Sequence, residues 1–168
     1  MKGGNHLDNP TEIRPAEASD VDDIHALIVH LAESTGHAGK ITSTPADFLR
    51  SGFSEPVAYH ALIAEHLDQV IGLALFFYTF SSWRGEPGVY VQDLVVAEQA
   101  RGSGLGRRLI EETARVALGK GATHLRLSVA ADNDIAVRFY DHLGLVASAE
   151  ERIFEADGLA FARLAENR

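Results

Sequence analysis

Apolar positions change their spacing several times along the chain, and each change marks an element. Thr11-Glu12-Ile13-Arg14 predicts a short strand that stops at Pro15. Ile24, Leu27, Ile28 and Leu31 then recur at three- and four-residue steps, which predicts an amphipathic helix. Ser19 stands where its N-cap belongs, and Asp20, Asp22 and Asp23 suit its positive end; Gly36 and Gly39 close it. Pro45 to Leu49 predicts a second, shorter helix capped by Ser43 or Thr44.

From Val57 the period shifts toward strands. Tyr59 to His66 and Val70 to Phe80, joined at Asp68-Gln69, predict an antiparallel hairpin. Ser81 to Gly88 reads as a loop, and Val89 to Val96 as a strand rich in β-branched residues. A long helix is expected from about Gly104 to Leu118, closed by Gly119 and Gly121. His124 to Ala130 predicts another strand. Asp132-Asn133-Asp134 caps a short helix that reaches Tyr140 and ends at Gly144. Arg152 to Glu155 and Leu159 to Leu164 are expected to form a last hairpin around Asp157-Gly158. Residues 1–10 have no periodicity and read as a loose tail, leaving 11–168 as one mixed α/β domain around one sheet.

Composition narrows the function. A chain of 168 residues with 46% hydrophobic and 23% charged positions fits one globular domain. No apolar run approaches the ~20 residues of a membrane span, and the N-terminus lacks a signal-peptide core, so no membrane partner and a cytoplasmic location are expected. The net charge of −9 argues against nucleic acid as a partner and is compatible with a cationic small substrate. Cys is absent, which removes disulfides, thiolate metal sites and covalent Cys intermediates. The histidines are scattered, with His25 and His30 off one helical face, so no metal is expected.

The strongest local signal is the run Arg101-Gly102-Ser103-Gly104-Leu105-Gly106-Arg107 between a strand and a helix. Three glycines in five residues let backbone N–H groups converge on an anion, and the helix N-terminus adds its dipole. A Walker A loop needs Gly-Lys-Ser/Thr, which is missing; the dinucleotide fingerprint fails because Arg107 occupies its third glycine position. The pattern that fits is Arg-x-x-Gly-x-Gly at Arg101, Gly104 and Gly106.

This loop resembles the pyrophosphate loop of the GNAT superfamily of acetyl-CoA-dependent N-acetyltransferases. Tyr90-Val91-Gln92-Asp93-Leu94-Val95-Val96 resembles that family's central strand, and Asn133 with Phe139-Tyr140 its C-terminal motif. Ile13-Arg14-Pro15-Ala16, Gly52-Phe53, Tyr59 to Glu65, and Phe76-Phe77-Tyr78 with Trp83 and Gly85 are similar to the diamine (spermidine/spermine) acetyltransferase branch. The likeness runs from about Ile13 to Leu164.

The resemblance implies an α/β GNAT fold, with a mixed central sheet splayed at the cofactor strand and flanked by helices. It implies acetyl-CoA as donor, a primary amine of a small molecule as acceptor, and a homodimer. The backbone of Leu94, Val95 and Val96 and the loop Arg101 to Arg107 (Gly102, Ser103, Gly104, Leu105 and Gly106 between them) would hold the donor, with Asn133 to Ala136 beside them. Tyr140 would be the general acid for the departing thiolate. Trp83, Arg126, Glu150 and Glu151 would line the acceptor side, where Arg126 could pair with a substrate carboxylate.

The departures bear on the acceptor. Where polyamine-using relatives carry an acidic residue before the central-strand Asp, this chain has Gln92. Gln cannot act as a base, so proton removal would pass to Asp93, water or solvent. Ser81-Ser82 replaces an acidic loop, and Thr35 stands in place of a Glu. The expected function is therefore N-acetylation of a diamine-like or lysine- and amino-acid-like amine by direct attack. The competing reading, motivated by Gln92, is a non-catalytic acyl-CoA-binding or regulatory module.

Overall fold

The computed structural model describes residues 11–148 and 151–166. The chain divides into two compact units, Met1–Ser128 and Val129–Arg168. The expected tail, 1–10, lies outside the described residues.

The first unit holds one five-stranded sheet in the order β1-β2-β3-β4-β5. Its strands are β1 (Glu12–Pro15), β2 (His60–His66), β3 (Gln69–Ser81), β4 (Glu86–Val96) and β5 (Leu125–Leu127). The first four meander antiparallel, and β5 returns parallel to β4 after the helix α3 (Leu105–Gly119). The β2–β3 turn is Leu67-Asp68, with φ of 51° and 58°, one residue earlier than the sequence spacing suggested. β5 is shorter than the expected His124 to Ala130.

Side chains alternate across a strand, so paired residues share a face. Ala64 and Gly72 pair on the face that receives α3. A Cβ on Gly72 would stand 3.1 Å from Leu109 and 3.3 Å from Leu105, so glycine lets the helix lie close to the sheet. Leu105, Leu109, Thr113 and Ala117 recur every four residues and are buried, which fixes the inward stripe of α3. The Thr113 hydroxyl satisfies itself by donating to the Leu109 carbonyl at 2.8 Å.

The helices α1 (Val21–Ser34) and α2 (Pro45–Gly52) pack together, with α1 against β3 and β4. Tyr59, just before β2, stands edge-on to Phe48 and Phe53 and donates from its hydroxyl to the Phe48 carbonyl at 2.9 Å. α2 begins in a capping box between Thr44 and Asp47, which selects Thr44 over Ser43. Ser19 is not the cap of α1. A short 3-10 turn, Ala18–Asp20, precedes the helix, and its capping box uses Glu17 and Asp20. Asp20 is buried there, and the Arg14 guanidinium, 2.8 Å away, holds its carboxyl below the usual range. The same guanidinium reaches Glu65 at 2.8 Å, tying β1, β2 and the turn together.

The second unit contains α4 (Asp134–His142) and α5 (Gly158–Glu166). The expected last hairpin does not form: 151–157 is irregular and Leu159 to Leu164 is helical. Ala160, Ala162 and Ala165 favour helix, and the Asp157 carbonyl accepts from the Ala160 and Phe161 N–H groups to start the turn. Asp157-Gly158 reads as a hairpin turn, but no partner strand is present among the described residues.

Candidate active site

β4 carries the irregularity on which the site is built. It pairs with β5 only from Val89↔Leu125 to Val91↔Leu127. On its other edge the register slips: Phe76 faces Val91, but Leu75 faces Asp93, leaving Gln92 as the extra residue of a β-bulge. Beyond Val91, β4 therefore keeps β3 on one side and has no ladder partner on the β5 side among the described residues. Backbone groups of Gln92 to Val96 along that edge can pair with an extended ligand. The side chains of Leu94, Val95 and Val96 go into the sheet packing: Val95 is buried opposite Leu73, and Leu94 and Val96 face Ala74 and Gly72. Any contact of theirs with a donor falls to the main chain.

At the end of β4 the Arg101 Nε donates to the Val96 carbonyl at 3.3 Å, tying the glycine loop to the strand. The Ser103 hydroxyl donates to the Ala100 carbonyl at 2.7 Å. Gly102 and Gly104 are left-handed, with φ of +77° and +83°, and Gly104 is the N-cap of α3. Leu105 is buried and Gly106 lies in the first helical turn, so this stretch offers backbone N–H groups and the positive end of a 15-residue helix. Arg107 is exposed on the same turn, 3.4 Å from Glu111. An anion such as pyrophosphate fits that arrangement.

Asp93 lies on the sheet face opposite α3. Burial pushes its carboxyl above the ordinary range, and among the described residues no hydrogen bond or ion pair reaches it. A largely buried carboxylate without a partner is costly as a fold element, and such groups mark functional sites. On the same face Phe77 stacks on Tyr90, with ring centroids 5.2 Å apart and 22° between planes. The Tyr90 hydroxyl hydrogen-bonds the Ser128 hydroxyl at 2.6 Å, and Arg126 is the β5 partner of Tyr90. Sequence pattern alone assigns no site role to Phe77, Tyr90 or Ser128. Their grouping depends on which strands pair, and local spacing carries no such signal.

Trp83 is not brought to this group. It is 98% exposed at the tip of the β3–β4 hairpin, about 20 Å from Asp93 by the rise of the strand. In the second unit Asn133 caps α4, its side chain accepting from the Ala136 N–H at 3.0 Å. The Ala136 N–H is thus already satisfied. Tyr140 lies on α4 with its ring edge-on to Phe139, and burial pushes its phenol above the ordinary value. Glu151 is exposed in the irregular stretch before α5, and Glu150 lies outside the described residues.

Comparison with known proteins gives a consistent picture. The family model described as acetyltransferase (GNAT) matches residues 24–145. The mouse protein named thialysine N-epsilon-acetyltransferase is 34% identical over 166 residues, covering 92% of this chain and 97% of its own. The human spermidine/spermine N(1)-acetyltransferase-like protein 1 is 30% identical over 148 residues, covering 83% of this chain and 21% of its own. Among solved structures, an integron cassette protein from the V. cholerae mobile metagenome aligns with a TM-score of 0.80 at 23% identity, covering 94% of this chain and 98% of its own. That last likeness concerns the fold.

Proposed function

The chain belongs to the acetyltransferase (GNAT) family, and from that premise we propose how its own residues carry out the transfer. It is an N-acetyltransferase acting on a small-molecule amine. GNAT enzymes take the acetyl group from acetyl-CoA. The observation that carries the proposal is the parting of β4 from β5 at Gln92, on the strand that leads into the glycine loop. In this reading the main chain of Leu94 to Val96 lies along the donor, and the loop from Arg101 to Arg107 takes its pyrophosphate.

The neutral amine attacks the thioester carbonyl carbon. A C–N bond forms, the C–S bond breaks, and its electron pair stays on sulfur. Tyr140 gives its phenolic proton to the departing thiolate, and the proton shed by the acylated nitrogen restores the phenol through water. The Tyr140 phenol holds its proton at neutral pH even at its ordinary value, and burial raises that value further. Asp93 takes the ammonium proton, directly or through water. Burial makes its carboxylate a stronger base than an exposed one, which supports the role that Gln92 cannot fill. No covalent enzyme intermediate is required.

The acceptor side is the sheet face around Asp93, Tyr90 and Arg126, with Glu150 and Glu151 as acidic rim residues. The acceptors proposed are amines of the lysine-analogue, amino-acid or diamine type, the first being the kind named for the mouse relative. The proposal extends to one catalytic domain made of both units, since the family match at 24–145 runs across Ser128 and Val129. It also includes a homodimer and a cytoplasmic location; among the described residues no helix is long and apolar enough to cross a membrane.

The test is coenzyme A release with a panel of polyamines, lysine analogues, amino acids, aminoglycosides and peptide N-termini. Tyr140→Phe keeps the ring and removes the proton, so turnover should fall about 10²–10⁴-fold while acetyl-CoA binding stays. Wild-type turnover in that variant, with chemistry rate-limiting, removes Tyr140 from the mechanism.

A further inference from the structure

We propose that Arg126 reads a carboxylate on the acceptor, so that the enzyme selects an amino acid with a distal amine over the diamine lacking that carboxylate. The inference rests on the reading above, in which the reacting amine lies at Asp93.

Phe77, Tyr90 and Arg126 form one row across β3, β4 and β5, and Leu75 and Asp93 form the next row on the same face. Because Gln92 is the bulged residue, moving from Tyr90 to Asp93 equals only two ladder steps, from Phe77 to Leu75. With a rise of about 3.3 Å per residue and strands about 4.8 Å apart, the backbones of Asp93 and Arg126 stand about 8 Å from each other. One half-buried carboxylate and one exposed guanidinium thus share a face at the span of a short amino-acid side chain.

The surface between them is held in place. Tyr90 is fixed on one side by its stack on Phe77 and at its tip by Ser128, so its ring forms a rigid floor beside the Arg126 stem. A methylene chain can lie along such a floor while its two charged ends reach the flanking groups. The planar fork of arginine matches a carboxylate in bidentate fashion, and its five donors can serve a substrate in addition to the neighbours that Arg126 already engages.

Charge gives the site a reason to carry this residue. With a net charge of −9, the protein's long-range field attracts doubly cationic diamines more strongly than amino acids with a distal amine, whose carboxylate cancels one of their two positive charges. A cation at one end of the acceptor face reverses that preference locally. A like charge facing the second ammonium of a diamine is also a direct cost, so Arg126 acts against one class and for the other.

The experiment compares kcat/KM for L-lysine and cadaverine, and for L-ornithine and putrescine, in the wild type, Arg126→Gln and Arg126→Lys. Each pair differs only by the carboxylate. The wild type is expected to favour the amino acid in at least one pair. Arg126→Gln should lower the amino-acid-to-diamine ratio by about 10–100-fold, and Arg126→Lys should fall between, keeping charge without the fork. Acetyl-CoA affinity by calorimetry checks that each variant is folded. A wild type that prefers the diamine in both pairs, or a ratio unmoved by Arg126→Gln, overturns the role of Arg126 while leaving acetyl transfer intact. Failure of every amine to release coenzyme A would instead overturn the transfer reading, and this inference with it.

Discussion

Asp93 faces Leu75 across β3 and β4, which sets a carboxylate opposite an apolar side chain that is only 6% exposed. Ionising Asp93 there removes charge from water with no partner to compensate. Its pKa is raised in the folded protein above the ordinary 3.8, so the folded state binds its proton more tightly than the unfolded state does. The cost to stability is therefore fully present above the folded pKa and disappears as pH falls below the ordinary value. Asp93→Asn should raise the Tm at pH 7.5, by an advantage that shrinks as pH drops through the carboxylate range, while lowering kcat/KM about 10²–10⁴-fold. Thermal scans from about pH 4 to 8 check the first part. A Tm difference independent of pH would show that Asp93 carries no burial cost.

Gly104 and Gly36 separate backbone strain from ligand binding. Both are left-handed, with φ of +83° and +76°, and a Cβ on either would meet nothing within 4 Å. Alanine at either position should cost about 1–2 kcal/mol through conformation alone. Gly104, at the head of α3, is also proposed to let the main chain approach a pyrophosphate; Gly36 follows α1 and has no such role. Acetyl-CoA affinity by calorimetry should weaken in Gly104→Ala, and further in Gly104→Val, but hold in Gly36→Ala. Equal affinities across the three variants would remove the loop from the donor site.

Much of this site was legible as a string of residues. The glycine loop and the flanking strand and helix are local patterns, and left-handed Gly102 and Gly104 occur where the spacing put a turn. The bulge at Gln92 was not legible, because it exists only in the register between β4 and β3. For the same reason Leu94 to Val96 read equally well as core and as a donor-binding strand, and their side chains do pack inward. Trp83 was placed at the acceptor by motif likeness, yet the length of the hairpin carries it far from Asp93 within its own chain. α5 departs from expectation for another reason: Asp157-Gly158 reads as a hairpin turn, but Ala160, Ala162 and Ala165 favour helix and no partner strand is present among the described residues.

The bulge also gives the last prediction its physical basis. Gln92 is the unpaired residue of the ladder, it is exposed, and it immediately precedes Asp93. A carboxylate at that position would add negative charge beside the reacting amine, drawing in a second ammonium group. The neutral amide adds none, so the native site should favour acceptors less positive than spermidine. Gln92→Glu should then shift relative specificity toward diamines and polyamines by about 1–3 kcal/mol, or roughly 5–150-fold, toward the lower end because the position is open to solvent. Bulge geometry should tolerate the change, since Glu and Gln have nearly the same shape and no ladder side chain faces the position. The measurement is kcat/KM for spermidine against a lysine analogue in both proteins at two ionic strengths. A charge effect must weaken as salt rises, whereas a packing effect would not. If the wild type already uses spermidine best, or the ratio stays fixed in Gln92→Glu, Gln92 does not set the selectivity, and the acidic residue Glu151 becomes the next position to vary.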